Sequence, residues 1–164
     1  MERMWSTWRS QYIESFKEKS EKKSCVFCDA AKEEPSDERS LVIAKGEKVF
    51  ALMNLYPYNN GHLMVAPYRH TSDFESLTAE EFDEARRMLQ NAHRALKEIA
   101  NPQGFNMGLN IGEVGGAGVR DHLHFHLVPR WAGDTNFMPV VGEVKVISQD
   151  LLATKRKLLE RWDP

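Results

Sequence analysis

The chain has 164 residues, 41% of them hydrophobic and 28% charged, with a formal net charge of −2. That length suits one domain with a single core, and the near-neutral balance excludes the strong basic excess that duplex nucleic acid demands, while leaving a small anionic ligand open. No run of about 18 apolar residues occurs, so no membrane span is expected, and Glu2, Arg3 and Arg9 interrupt any secretory h-region, so a cytoplasmic protein is expected.

Trp5, Trp8, Tyr12 and Phe16 recur at helical spacing within residues 3–19 and predict an amphipathic N-terminal helix whose aromatic stripe docks on the domain. The polar run Lys17 to Lys23 reads as a linker, which divides the chain into an appended segment, 1–24, and a domain, 25–164. Cys25 and Cys28 are the only cysteines, spaced C-x-x-C. In a reducing compartment such a pair is more often a metal or redox site than a structural disulfide. Glu33 to Arg39 reads as a charged loop. Leu41 to Ala44 and Val49 to Met53 have strand character around the turn-like Lys45-Gly46-Glu47, and His62 to Ala66 follows the hairpin signal Asn59-Asn60-Gly61. A long helix comes next. Thr78 and Glu81 form its capping box, Phe82, Ala85, Leu89, Ala92, Leu96 and Ile99 share one face, and Asn101-Pro102 stops it. His93 flanks that stripe and reads as a helix-surface residue.

Phe105 to Asn110 and His122 to Val128 read as two further strands, joined by a loop containing Gly112, Gly115, Gly116 and Gly118. Val140 to Ile147 reads as a further strand, and Leu151 to Trp162 as a terminal helix. Strands arriving mostly through hairpins, with one long helix inserted, predict an α+β domain on an antiparallel sheet.

The run His122-Leu123-His124-Phe125-His126 carries the chemistry. Alternation along a strand sends the three imidazoles to one face and Leu123, Phe125 and Leu127 to the core. A polar strand face that merely happens to hold histidine would draw more on Thr, Lys, Glu and Ser; a purely metal-binding triple is the other alternative. The preceding glycines permit positive φ and let backbone N–H groups turn toward an anion, so together with the histidines they suggest a phosphate site.

The segment His122-Leu-His-Phe-His-Leu-Val128 resembles the His-φ-His-φ-His-φ-φ signature of the histidine-triad (HIT) superfamily. Phe50-Ala-Leu-Met-Asn54 followed by Gly61-His62-Leu-Met-Val65 is similar to its first conserved region. Pro129-Arg130-Trp131-Ala-Gly-Asp134-Thr-Asn136-Phe137 resembles the branch that handles diadenosine polyphosphates. The resemblance implies an antiparallel five-stranded sheet with one long helix plus N- and C-terminal helices, and a homodimer whose two sheets join. It implies a nucleotide substrate, with His124 as nucleophile on the α-phosphorus and a nucleotidyl-histidine intermediate. His126 would contact the α-phosphate, its backbone carbonyl accepting the Nδ1 proton of His124. Asn54 would bind ribose, Asn110 would lie near the phosphates, and Phe50 and Met53 would sandwich the base. Ala117, Gly118 and Val119 stand where many relatives carry Gln, Ser or Thr, so phosphate contacts would fall to the backbone N–H groups of Gly116, Ala117 and Gly118, aided by Arg120.

By the same resemblance Cys25, Cys28, His70 and His122 form a structural zinc set; a reduced, unmetallated cysteine pair is the alternative. A thioredoxin-type motif is disfavoured, because no βαβ setting surrounds it. His62, at a strand start, reads equally as a partner of the triad or as a structural residue. Magnesium would accompany the substrate phosphates. The function implied is cleavage of dinucleoside polyphosphates by water or by inorganic phosphate. A nucleoside phosphoramidase, and a nucleotide sensor without turnover, are the alternatives.

Overall fold

The computed structural model describes residues 24–135 and 150–162. The expected helix over residues 3–19, the expected strand over 140–147, and Asn136 and Phe137 lie outside the described residues. A short helix, α1 (Val26–Ala30), precedes β1 (Val42–Lys45), β2 (Val49–Met53) and β3 (Leu63–Pro67). After a 3-10 turn come the long helix α2 (Ala79–Ala100), then β4 (Gly104–Leu109), β5 (Phe125–Arg130) and the C-terminal helix α3 (Leu151–Leu159). The five strands form one sheet in the order β1-β2-β3-β5-β4, every neighbour antiparallel, as expected for the HIT-like α+β fold.

Strand alternation divides the sheet into two faces. Val49, Ala51 and Met53 of β2, Leu63 and Val65 of β3, and Phe125 and Leu127 of β5 pack under Ala85, Leu89, Ala92 and Leu96 of α2. Leu158 of α3, fully buried, closes that core, and Lys155 fastens α3 by donating to the carbonyls of Asp37 and Ser40 at 2.7 and 2.8 Å. The opposite face carries Phe50, Leu52, Met64 and Ala66 against Phe27 of α1.

Helix α2 starts at the expected capping box, with Glu81 N–H donating to the Thr78 hydroxyl and Thr78 N–H to the Glu81 carboxylate. It ends at Asn101 in the left-handed region, φ 43°. Phe82 lies at the rim of the apolar stripe, 48% exposed, and Met88 joins the buried side. The β2–β3 connection runs over residues 54–62, one residue beyond the expected strand start, and the expected turn Asn59-Asn60-Gly61 closes it with His62 N–H donating to the Asn59 carbonyl. Gly61 has φ +71°, and a Cβ there would lie 2.9 Å from Leu96 Cδ2. Gly61→Ala therefore loses about 1–2 kcal/mol from backbone strain alone, read as a lower urea midpoint at unchanged slope.

The turn after β5 is tied by Asp134, whose side chain is 7% exposed. It accepts from Arg130 Nε and Nη2 at 2.6 and 2.8 Å, from Trp131 N–H at 3.0 Å and from Asn59 Nδ2 at 2.8 Å. The Arg130 guanidinium first, then the Trp131 N–H, pull its carboxyl down to about 2 against desolvation. A depressed folded-state value stabilises the fold above the unfolded value of about 3.9 and is lost as pH falls through about 2. Asp134→Asn is expected to lower the melting temperature at pH 7, with the gap to the parent protein narrowing between about pH 4 and pH 2.

Candidate functional site

The histidine run lies where the sheet changes partner. Extending the register Leu63↔Leu127, Met64↔His126 and Val65↔Phe125 would set Leu123 opposite Pro67, which has no N–H for the ladder. The strand expected from His122 therefore begins at Phe125, and residues 122–124 approach it as extended chain held from the β3–α2 connection. Leu123 N–H donates to the Thr71 carbonyl at 2.7 Å, and His122 Nε2 donates to the Pro67 carbonyl at 2.8 Å. Alternation persists through this entry: Phe125 and Leu127 enter the α2 core, and the three imidazoles share the other face.

Each triad imidazole is held in one tautomer. His124 Nδ1 lies 2.8 Å from the His122 carbonyl; a carbonyl only accepts, so Nδ1 carries the proton and Nε2 the lone pair. The expected acceptor was the His126 carbonyl; the group that serves is two residues upstream, where the extended backbone brings it under the ring. Burial lowers the His124 pKa against the opposing pull of that hydrogen bond, so the ring is neutral near pH 7. Its Nε2 takes no partner among the described residues and is not among the sealed, unsatisfied atoms.

His62 fixes His126. Asn54 Oδ1 accepts from Tyr56 N–H at 2.9 Å, so its Nδ2 is the atom that faces His62 Nδ1, at 3.3 Å. Tyr58 N–H donates to the same Nδ1 at 3.0 Å. Facing two donors, that nitrogen is an acceptor, and the His62 proton sits on Nε2, 2.9 Å from His126 Nδ1. His126 then carries its own proton on Nε2, as a donor. The His124 and His126 ring centroids are 4.7 Å apart. A lone-pair nitrogen thus stands beside an N–H donor, the pair needed to attack an electrophilic centre and hold the charge that develops on its oxygens.

Other expected residues fall out differently. Phe50 lies fully buried on the histidine face, stacked on Tyr68 at 5.3 Å. Met53 does not join it: two strand steps bring Leu52, not Met53, beside Phe50, and Met53 faces α2. Asn110 spans from Tyr58 Oη, 3.4 Å, to the Gly116 carbonyl, 3.5 Å, and so ties the glycine loop to the turn after β2. The loop spends two of its three expected amides on itself: Gly116 N–H donates to the Glu113 carbonyl and Ala117 N–H to the Gly112 carbonyl. Of the three, Gly118 is left as the amide those turns do not use. Arg120 pairs with Glu113 at 2.9 Å.

Cys25, Cys28, His70 and His122 are brought together, with one ligand atom from each lying within 4.8 Å of the others. Cys25 Sγ and Cys28 Sγ lie 3.3 and 3.6 Å from His122 Nδ1, Cys28 Sγ lies 3.4 Å from His70 Nδ1, and the two Nδ1 atoms are 3.3 Å apart. Donation of Nε2–H to Pro67 leaves the His122 Nδ1 lone pair turned into this group, which can hold a metal ion. The residues that the sequence reading did not reach are Tyr58, Leu52, Met64 and Phe27. Only Phe27 had a visible cue, its place between the two cysteines.

The fold and this face define a protein that presents a neutral imidazole, an adjacent N–H donor and a four-residue cluster able to hold a metal ion on one antiparallel sheet. Residues 36–133 match the HIT domain, and the chain belongs to the HIT family. An AP-4-A phosphorylase from Mycobacterium tuberculosis is 44% identical over 99% of this chain and 85% of its own length. A bis(5'-adenosyl)-triphosphatase from Dictyostelium discoideum is 34% identical over 51% of this chain and 56% of its own. Among solved structures, a Zn-bound histidine triad family protein from Mycobacterium smegmatis aligns with TM-score 0.66 at 26% identity, over 84% of this chain and 92% of that one.

The tautomers are open to direct measurement. Long-range proton–nitrogen spectra at neutral pH should show His124 protonated on Nδ1 and His126 on Nε2. His62→Phe should abolish the preference at His126 and leave His124 unchanged; the opposite pattern would refute the assignment.

Proposed function

We propose that this chain cleaves dinucleoside polyphosphates, diadenosine tetraphosphate foremost, by attack of His124 Nε2 on an α-phosphorus. The observation that carries the reading is the hydrogen bond from His124 Nδ1 to the His122 carbonyl, which puts the proton on Nδ1 and the lone pair on Nε2, while burial keeps the imidazole neutral. In the first step a P–N bond forms to adenylate while the P–O bond to the remaining nucleotide breaks. In the second, an acceptor oxygen displaces the imidazole. Splitting one displacement into two suits imidazole, which attacks well and leaves well. His126, in the tautomer set by His62, donates to the α-phosphate throughout. Inorganic phosphate is the acceptor we favour, on the strength of the 44% identity to the M. tuberculosis phosphorylase; its products would be ADP and ATP, whereas water would give AMP and ATP.

Zinc is the ion that suits the nest. Zinc–nitrogen bonds of about 2.0–2.1 Å and zinc–sulfur bonds of about 2.3 Å in a tetrahedron require nitrogen–nitrogen edges of about 3.3 Å and nitrogen–sulfur edges of about 3.5 Å, close to the spacings here. When bound, it would cross-link α1 to the chain just after β3, at His70, and just before β5, at His122. Thiol ligands suit a reducing compartment, the cytoplasm. Magnesium would travel with the polyphosphate. A homodimer is supported by β4, which among the described residues is the last strand of the sheet and carries an exposed Met107. Residues 25–164 would make up this catalytic unit, with 1–24 appended to it.

The test is trapping. Diadenosine tetraphosphate labelled at the α-phosphate should leave acid-labile label on the protein, and His124→Ala should lose the label and at least about a thousandfold in turnover while still binding nucleotide. Binding with no label on the parent protein would instead identify a sensor, and AMP as product in the presence of phosphate would make the enzyme a hydrolase.

A further inference from the structure

We propose that Phe27 is a positioning residue that transmits occupancy of the Cys25–Cys28–His70–His122 nest to the imidazole of His124. The inference rests on the reading of His124 as nucleophile and of the nest as a metal site. Phe27 is the one buried residue of α1, 2% exposed. Its ring lies 4.5 Å from the His124 ring at 31°, and 5.2 Å from the His122 ring at 42°. Helix α1 has five residues, too few to hold its shape by itself. Its N-cap, Cys25, makes no side-chain capping bond, and its sulfur is turned to His122 instead. Among the contacts that fix α1 are those of the two sulfurs that flank Phe27, the burial of Phe27 itself, and the packing of Ala30 and Ala31 on the same cluster.

His124, for its part, is tethered by one hydrogen bond at Nδ1. A single bond leaves the ring able to swing about it, and a swing moves Nε2 off the line of attack. The Phe27 ring lies against the imidazole and limits that swing. A metal ion drawing Cys25 and Cys28 onto His122 would press Phe27 into place; loss of the ion would release both cysteines and, through them, the packing on His124. Phe27 also shares its face with Phe50, Leu52 and Met64, so the competing role is that of an apolar wall for the substrate base, which would act on binding alone.

The experiment compares the parent protein with Phe27→Leu, each zinc-loaded and after chelation, at one fixed pH. Metal content, the Hε1 resonance of His124, the rate of label transfer to His124 and KM are read together. The expected result in the parent protein is a His124 resonance that moves on chelation and returns when zinc is restored. Phe27→Leu should keep its zinc, show no metal-dependent movement of that resonance, and form the adduct on the order of 10- to 100-fold more slowly with KM within about twofold. A parent resonance indifferent to zinc would overturn the proposal. So would a variant that raises KM with the adduct rate intact, the signature of a base wall. A variant that loses rate only in proportion to lost zinc would overturn it too. If Phe27→Leu fails to fold, the parent resonance decides; if chelation unfolds the parent protein, the zinc-loaded variant decides through rate and KM. Absence of any adduct on the parent protein would defeat the nucleotidyl-histidine reading, while the resonance would still judge the coupling.

Discussion

The carbonyl of His122 and the ring of the same residue face two different tasks, and the site depends on both being met at once. The ring donates to Pro67 and turns Nδ1 toward the two cysteines and His70; the carbonyl accepts the Nδ1 proton of His124. A carbonyl cannot donate and an Nε2 committed to Pro67 cannot bind elsewhere, so neither imidazole has a choice of tautomer. An extended backbone makes this possible. It throws alternate side chains to one face while leaving the intervening carbonyl within reach of the next ring but one.

Burying polar rings on that face is unfavourable unless their nitrogens are satisfied. His62, His122, His124 and His126 are each 7% exposed or less. The structure meets the requirement for part of the set by chaining: backbone N–H of Tyr58 to His62, His62 to His126 Nδ1, and backbone carbonyls to His122 Nε2 and His124 Nδ1. The Tyr58 N–H and the two carbonyls are backbone groups, which have a fixed sense of donation, and His62 passes that sense on to His126. Ionisation is suppressed by burial at His122 and His124, and neutrality is what nucleophilic and ligating nitrogens need.

Much of this was legible in the sequence, because it follows from local periodicity. The capping box at Thr78 and Glu81, the five strands and the one-face placement of the triad are consequences of spacing along short stretches. The ligand set Cys25, Cys28, His70 and His122 is brought together as family likeness implied. What was not legible is what depends on partners distant in sequence. The strand start moved to Phe125 because Pro67, more than fifty residues earlier, has nothing to donate. Met53 went to the helix side because β2 runs in strict alternation from Val49 to Met53, so that only one of Phe50 and Met53 can face the histidines. His62 is reached only through pairing of β3 with β5, and its imidazole is indistinguishable in sequence from a strand-end histidine. The internal turns of the glycine loop were not legible either, because positive φ at Gly112 and Gly116 serves the loop's own turns as readily as it serves an anion.

That last point reshapes where phosphate charge is met. The Gly116 and Ala117 amides are engaged inside the loop. Arg120 is paired with Glu113 across the loop, the two side chains 44% and 59% exposed. An exposed pair of this kind is worth little, because water and salt already screen both partners. Exchanging a screened carboxylate for a multiply charged phosphate chain is therefore a small step for Arg120, whereas the buried relay through His62 has no such freedom. The site accordingly divides its labour by burial. The imidazoles that would face the reacting phosphorus under the proposed function are buried and held through backbone groups, whereas the arginine that would meet the rest of a phosphate chain is loosely held at the surface.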